Sequence, residues 1–87
     1  MMEYRPIFPE NMRAARLPLK AQVFKVIEEA EEVYRAIKDK ESNARIIEET
    51  LDTIHACEGV LRKFRPQEIE EAIKLVYEKN KSRGDYL

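Results

Sequence analysis

The chain is predicted to be all-α. Apolar residues recur at steps of three and four, no stretch alternates with a period of two, and only two Gly and four Pro punctuate 87 residues. The expected architecture is an antiparallel helical hairpin plus a third helix, completing a bundle by oligomerisation. Eighty-seven residues suit one domain, and a chain this short buries a limited share of its surface alone.

Residues 1–17 contain Pro6 and Pro9 and carry no period, so they read as an irregular N-terminal arm with a short helical turn around Asn11 to Arg16. Pro18 suits the first position of a helix. From there Leu19, Val23, Val26, Ala30, Val33 and Ile37 make one helical stripe, and the spacing predicts a helix over 18–38. The polar run 39–43 breaks it, and Ser42 or Asn43 is placed to cap a second helix over 43–64. Ile47, Leu51, Ile54, Leu61 and Phe64 share one side of that helix. Pro66 disfavours helix at Arg65 and opens a third helix over 67–82, with Ile69, Ile73, Val76 and Tyr77 on its stripe. Residues 18–84 thus form the helical domain and 85–87 a short tail.

Composition removes several function classes. Sixteen Lys and Arg against seventeen Asp and Glu give a formal charge of −1, which argues against binding a nucleic-acid polymer. A lone cysteine, Cys57, excludes an internal disulfide framework and a multi-cysteine zinc site, and reads as a small buried apolar residue. No apolar run nears the ~18 residues of a membrane span, so no membrane partner is expected. The opening MMEYRPIFPE has no apolar signal core, which makes a cytoplasmic location the expectation.

The acids carry the chemistry. Glu29 with Glu32, and Glu49 with Asp52, are pairs spaced i, i+3, neighbours on a helix surface. Glu29 with Asp52, and Glu32 with Glu49, share the midpoint 40.5, inside the predicted turn. In an antiparallel hairpin, residues equidistant from the turn sit at one height, so four carboxylates are expected to converge. Such a cluster repels itself unless a cation lies between. All-oxygen ligands suit a hard divalent ion, Mg²⁺, Mn²⁺ or Ca²⁺, and Mg²⁺ commonly binds nucleotide phosphates as well. Against this stands the commoner fate of Glu-rich helices, a solvated face. The small Ala56 and Gly59 beside Glu49 and Asp52 favour a concave floor.

Glu28-Glu29-x-x-Glu32, then sixteen residues, then Glu49-x-x-Asp52, resembles the MazG-type all-α nucleoside triphosphate pyrophosphohydrolases. The texts around both motifs and the ending Glu78-Lys79-Asn80-Lys81-Ser82-Arg83-Gly84 are similar to short, phage-type members, over about residues 17–84. The resemblance implies Mg²⁺-dependent cleavage of an NTP or dNTP between the α and β phosphates, giving NMP and pyrophosphate. It implies metal ligands at Glu29, Glu32, Glu49 and Asp52, and a homo-oligomer, dimer or tetramer. Glu28 and Glu32 are then the candidates to accept a proton from the attacking water. Lys79 and Arg83, four apart on one helical side, are candidates for substrate phosphate. The rival reading is a non-catalytic module that senses nucleotide or binds a protein on the same scaffold. A di-iron bundle expects paired ExxH motifs, which are missing.

Other residues divide between structure and function. His55 follows Asp52 by three but lies off the acid face, which suits packing better than ligation. Tyr34 and Tyr77 suit core or interface, whereas Tyr4, Phe8 and Tyr86 suit base stacking or subunit docking. Arg13, Arg16 and Lys20 are solvated surface or a phosphate-facing arm.

Overall fold

The computed structural model of the protein describes residues 3–86, so Met1 and Met2 of the arm and Leu87 of the tail lie outside the described residues. Among the described residues every regular element is helical: α1 (Met12–Arg16), α2 (Leu19–Lys38), α3 (Asn43–Leu61) and α4 (Pro66–Ser82).

Local chemistry sets each boundary. The Asn11 side chain accepts the N–H groups of Arg13 and Ala14 at 2.9 and 3.1 Å and starts α1. Leu17 precedes proline and is extended, which ends it. Pro18 caps α2 and does not open it: its ψ of 156° is extended, so the first helical residue is Leu19. At the far end Lys40 adopts a left-handed φ of 53°. The N–H groups of Lys40 and Glu41 then turn back onto the Ile37 and Ala36 carbonyls, closing α2. Ser42, of the two candidates, caps α3 by accepting the Arg45 N–H at 3.3 Å.

α3 stops at Leu61, three residues before the expected end at Phe64. Arg65 must be extended ahead of Pro66, and the N–H groups of Lys63 and Phe64 tighten onto the Val60 and Leu61 carbonyls. α4 begins on Pro66 itself, where Glu68 returns to accept the Arg65 N–H at 3.2 Å.

α2 and α3 pack on each other across the turn at residues 39–42. Their seam takes Gln22, Val26, Glu29, Val33 and Ala36 from α2, all buried or half-buried. From α3 it takes Ile46, Glu49, Thr53 and Ala56, with Gly59 pressed on Gln22. The apolar stripe of α2 therefore enters the seam only in part: Val26 and Val33 lie within it, and Leu19, Val23, Ala30 and Ile37 stay exposed. Val23 is 41% exposed, Ile37 57% and Ile47 58%. α4 has no extended packing with the other helices, and Leu75 on it is 66% exposed. Cys57, expected to be buried, is exposed, because its neighbours Ala56 and Glu58 take the inward positions.

The arm is strapped to α3. The buried Glu58 carboxylate accepts the Ile7 and Phe8 N–H groups at 2.6 and 3.1 Å. Arg62, one turn on, donates to the Phe8 carbonyl, and Lys63 donates to the carbonyls of Ala14 and Leu17. Phe8 stacks on His55 with ring centroids 4.6 Å apart. Desolvation raises the Tyr4 phenol above its usual 10.0; the negative charge of Glu58 adds to this, and Arg62 opposes it.

Glu58→Ala leaves two arm amides without an acceptor. Chemical denaturation is expected to register a loss of about 1–3 kcal/mol, with faster hydrogen exchange at Ile7 and Phe8. Tyr4 is neutral in the docked arm, and its folded pKa is raised. Its contribution is therefore complete below pH 10 and lost as pH climbs through the raised value. An alkaline absorbance titration is expected to lose its highest component in Tyr4→Phe.

Candidate functional site

Three of the four expected acids meet. Glu29, Glu49 and Asp52 each offer a carboxylate oxygen within 4.8 Å of the other two. Their depths differ: Glu29 is half-buried, Glu49 only 6% exposed, and Asp52 exposed. Oxygen ligands about 2.0–2.6 Å from a hard cation lie up to about 4–5 Å from one another, so the trio fits a single divalent ion with little adjustment. The donor set, oxygen only, suits Mg²⁺ or Mn²⁺.

Two internal cations temper the repulsion. Lys25 Nζ lies 3.5 Å from Glu29, and Arg45 Nη2 lies 2.6 Å from Glu49. Each sits four residues before its acid, one turn along the same helix face. Two cations against three carboxylates leave this group with one negative charge in excess.

Glu32 stays outside the trio. Its carboxylate is exposed and lies 3.0 Å from Arg35 on its own helix. Three residues of α-helix turn the chain by about 300°, so Glu32 points about 60° away from Glu29, onto the flank. Glu28, four residues before Glu32 and on the same helical side, is also exposed and lies 3.9 Å from Lys25. Lys79 and Arg83 belong to the end of α4, where Arg83 caps the helix. Neither lines the groove beside the acids, so the structure does not bring them to the trio within one chain.

That groove encloses about 540 Å³. α2 supplies Gln22, Lys25 and Glu29, α3 supplies Asp52, His55 and Ala56, and the α1 region supplies Asn11, Arg13, Ala14 and Leu17. Of the basic cluster before α2, only Arg13 lines it. His55 turns one ring face to Phe8, and its buried Nε2 has no partner. Tyr34 is exposed, and Tyr86 stacks on Tyr77 at 5.2 Å.

Gln22, Lys25 and Arg45 were not among the residues read from the sequence. Gln22 is 2% exposed, and its Nε2 donates to the Ala56 carbonyl at 2.9 Å. A Cβ at position 59 would stand 2.5 Å from that nitrogen, so glycine there lets the amide in. A signal existed for each residue. Gln22 opens the series 22, 26, 29, 33 and 36, which also contains Glu29, and a basic residue stands four before both Glu29 and Glu49. Comparison with protein-family models, with curated proteins and with solved structures finds no match.

Asp52→Asn removes one of three crowded like charges. In EDTA the thermal midpoint is expected to rise by about 2–4 °C, the equivalent of roughly 0.5 kcal/mol for a small domain. Added Mn²⁺ is expected to raise the midpoint of the wild type and leave that of the variant unmoved.

Proposed function

We propose that the protein is a Mg²⁺-dependent nucleoside triphosphate pyrophosphohydrolase, with Mn²⁺ as an alternative ion. The observation that carries this reading is the meeting of Glu29, Glu49 and Asp52 oxygens within 4.8 Å, in a partly buried seam. The resemblance of both acidic motifs to MazG-type enzymes supports it. Glu29, Glu49 and Asp52 would hold the ion. When bound, such an ion supplies Lewis-acid stabilisation of the triphosphate charge.

The chain's own groups do the rest. Arg13 and Lys25 face the groove and balance phosphate charge. Glu28 or Glu32, flanking the trio on α2, takes the proton from the attacking water. The water oxygen bonds to the α phosphorus as the bond to the pyrophosphate oxygen breaks, leaving NMP and pyrophosphate. In this reading Lys79 and Arg83 reach phosphate from a partner copy.

Assembly belongs to the same proposal: the α2–α3 pair is an antiparallel hairpin, half of a bundle completed by a second copy. The accessible surface is 7126 Å², against about 5,400 Å² for a compact monomer of 10.3 kDa. The radius of gyration is 14.9 Å, where about 12 Å is usual for this length. The excess surface is apolar on α2, α3 and α4, which a dimer or tetramer would cover.

One observation favours the second reading, a non-catalytic helical module. Lys25 and Arg45 already pair with two of the acids, as in a purely structural polar seam. Turnover separates the two readings. Purified protein is incubated with each NTP and dNTP plus Mg²⁺, and pyrophosphate is assayed apart from orthophosphate. Pyrophosphate release is expected with at least one nucleotide. Glu49→Gln and Asp52→Asn are each expected to lower kcat by about 10²-fold or more while the helical circular dichroism is kept. Orthophosphate alone, or no turnover with any nucleotide, defeats the reaction assignment.

A further inference from the structure

We infer that Gln22 selects the base of the nucleotide, favouring the 4-amino group of cytosine or the 6-amino group of adenine over the keto oxygen of their counterparts. The inference rests on the nucleotide reading above and names the part of the ligand that the acids do not touch. Gln22 lines the same groove as Glu29 and Asp52, is 2% exposed, and leaves its Oε1 without a hydrogen-bond partner. A buried acceptor with no donor is costly, and such groups are rare unless something supplies the donor.

The amide cannot turn over to relieve this. Nε2 donates to the Ala56 carbonyl at 2.9 Å, and a reversed amide would set oxygen against oxygen there. The nitrogen end is also held close by Gly59. Oxygen and nitrogen diverge from one carbon, so with Nε2 on the α3 backbone Oε1 turns away from α3. Oε1 is shielded from solvent as the groove stands, so what reaches it must displace a wall side chain and donate a hydrogen bond. The amino groups of cytosine and adenine donate, whereas uracil, thymine and guanine carry a keto oxygen at the matching position. Ala14 and Ala56 give the groove small walls that a flat ring can approach. Lys25 and Arg13 lie on the same groove for the phosphate end.

The experiment measures binding, not turnover. The 5′-monophosphates of cytidine and of pyrimidin-2-one riboside differ only in the amino group. Isothermal titration of the whole chain in Mg²⁺ is expected to show the cytidine form bound about 10–100-fold more tightly, the scale of one buried hydrogen bond. In Gln22→Leu the ratio is expected to fall to about twofold or less. Its melting temperature is expected to be unchanged or higher, because an unpartnered acceptor has been replaced by an apolar group. Should the variant not fold, the Gln22 side-chain amide resonances of the wild type decide. They are expected to shift with the amino ligand and not with its analogue.

Equal affinity for the two ligands, no binding of either, or a preference that survives in Gln22→Leu overturns the inference and leaves Oε1 to a resident water. The failure of the hydrolase reading looks different. Amino-dependent binding without pyrophosphate release removes the reaction and keeps the role of Gln22. Pyrophosphate release without amino discrimination does the reverse.

Discussion

Like charges a few ångströms apart need positive charge among them, and this molecule places three carboxylates at the junction of its two main helices. Glu49 is nearly buried, Glu29 half-buried, and Asp52 stands at the edge. Lys25 and Arg45 answer part of that charge from one turn away on their own helices. The remaining deficit is of the sign and size that a divalent cation reverses. Much of the surrounding structure follows from keeping these groups together. Small residues line the contact: Ala36 is fully buried, and Gly59 admits the Gln22 amide. A seam that gives places to acids, an amide and alanines beside Val26, Val33 and Ile46 has little room for larger apolar side chains, and many of these stand on the outer faces. Burial of apolar surface drives folding, and here much of it stays exposed. Under the proposed function, assembly and a metal site would share one cause.

The arm completes the groove through a second set of buried polar contacts. Glu58 and Arg62, one turn apart on α3, hold the backbone of Ile7 and Phe8, while Lys63 holds the end of α1. These bonds join chain segments about fifty residues apart. They set Asn11, Arg13 and Ala14 beside the acids, although α1 itself buries no residue. A five-residue helix that buries no residue fully owes much of its position to its fastening, which makes this part of the groove the most readily opened.

Helix number, approximate limits and three of four converging acids were legible in the sequence, because periodicity and the distance from the turn are arithmetic properties of a helical chain. Glu32 escaped that arithmetic. Rotation about the helix axis turned it by about 60° onto Arg35. The seam likewise takes only Val26 and Val33 from the apolar stripe of α2 and leaves Val23 and Ile37 exposed. A stripe marks what wants burial, and within one chain a second surface competed for that place. The end of α3 was overextended because Pro66 acts through Arg65, and the tightened turn before it draws Lys63 towards α1. Cys57 was misplaced by its chemistry, since a small apolar thiol between Ala56 and Glu58 is turned outward by helix geometry. Gln22 was overlooked because a lone glutamine carries no motif. Its meaning comes from Ala56 and Gly59, thirty-four and thirty-seven residues away.

The central claim is that the acids of the seam gather one hard cation with a triphosphate. Crystals grown with Mn²⁺ and an α,β-methylene nucleoside triphosphate, measured at the manganese absorption edge, test it most directly. The account predicts anomalous density bounded by oxygens of Glu29, Glu49 and Asp52, with the phosphates on its open side. Density elsewhere, or nucleotide bound with the three carboxylates turned to solvent, would contradict it.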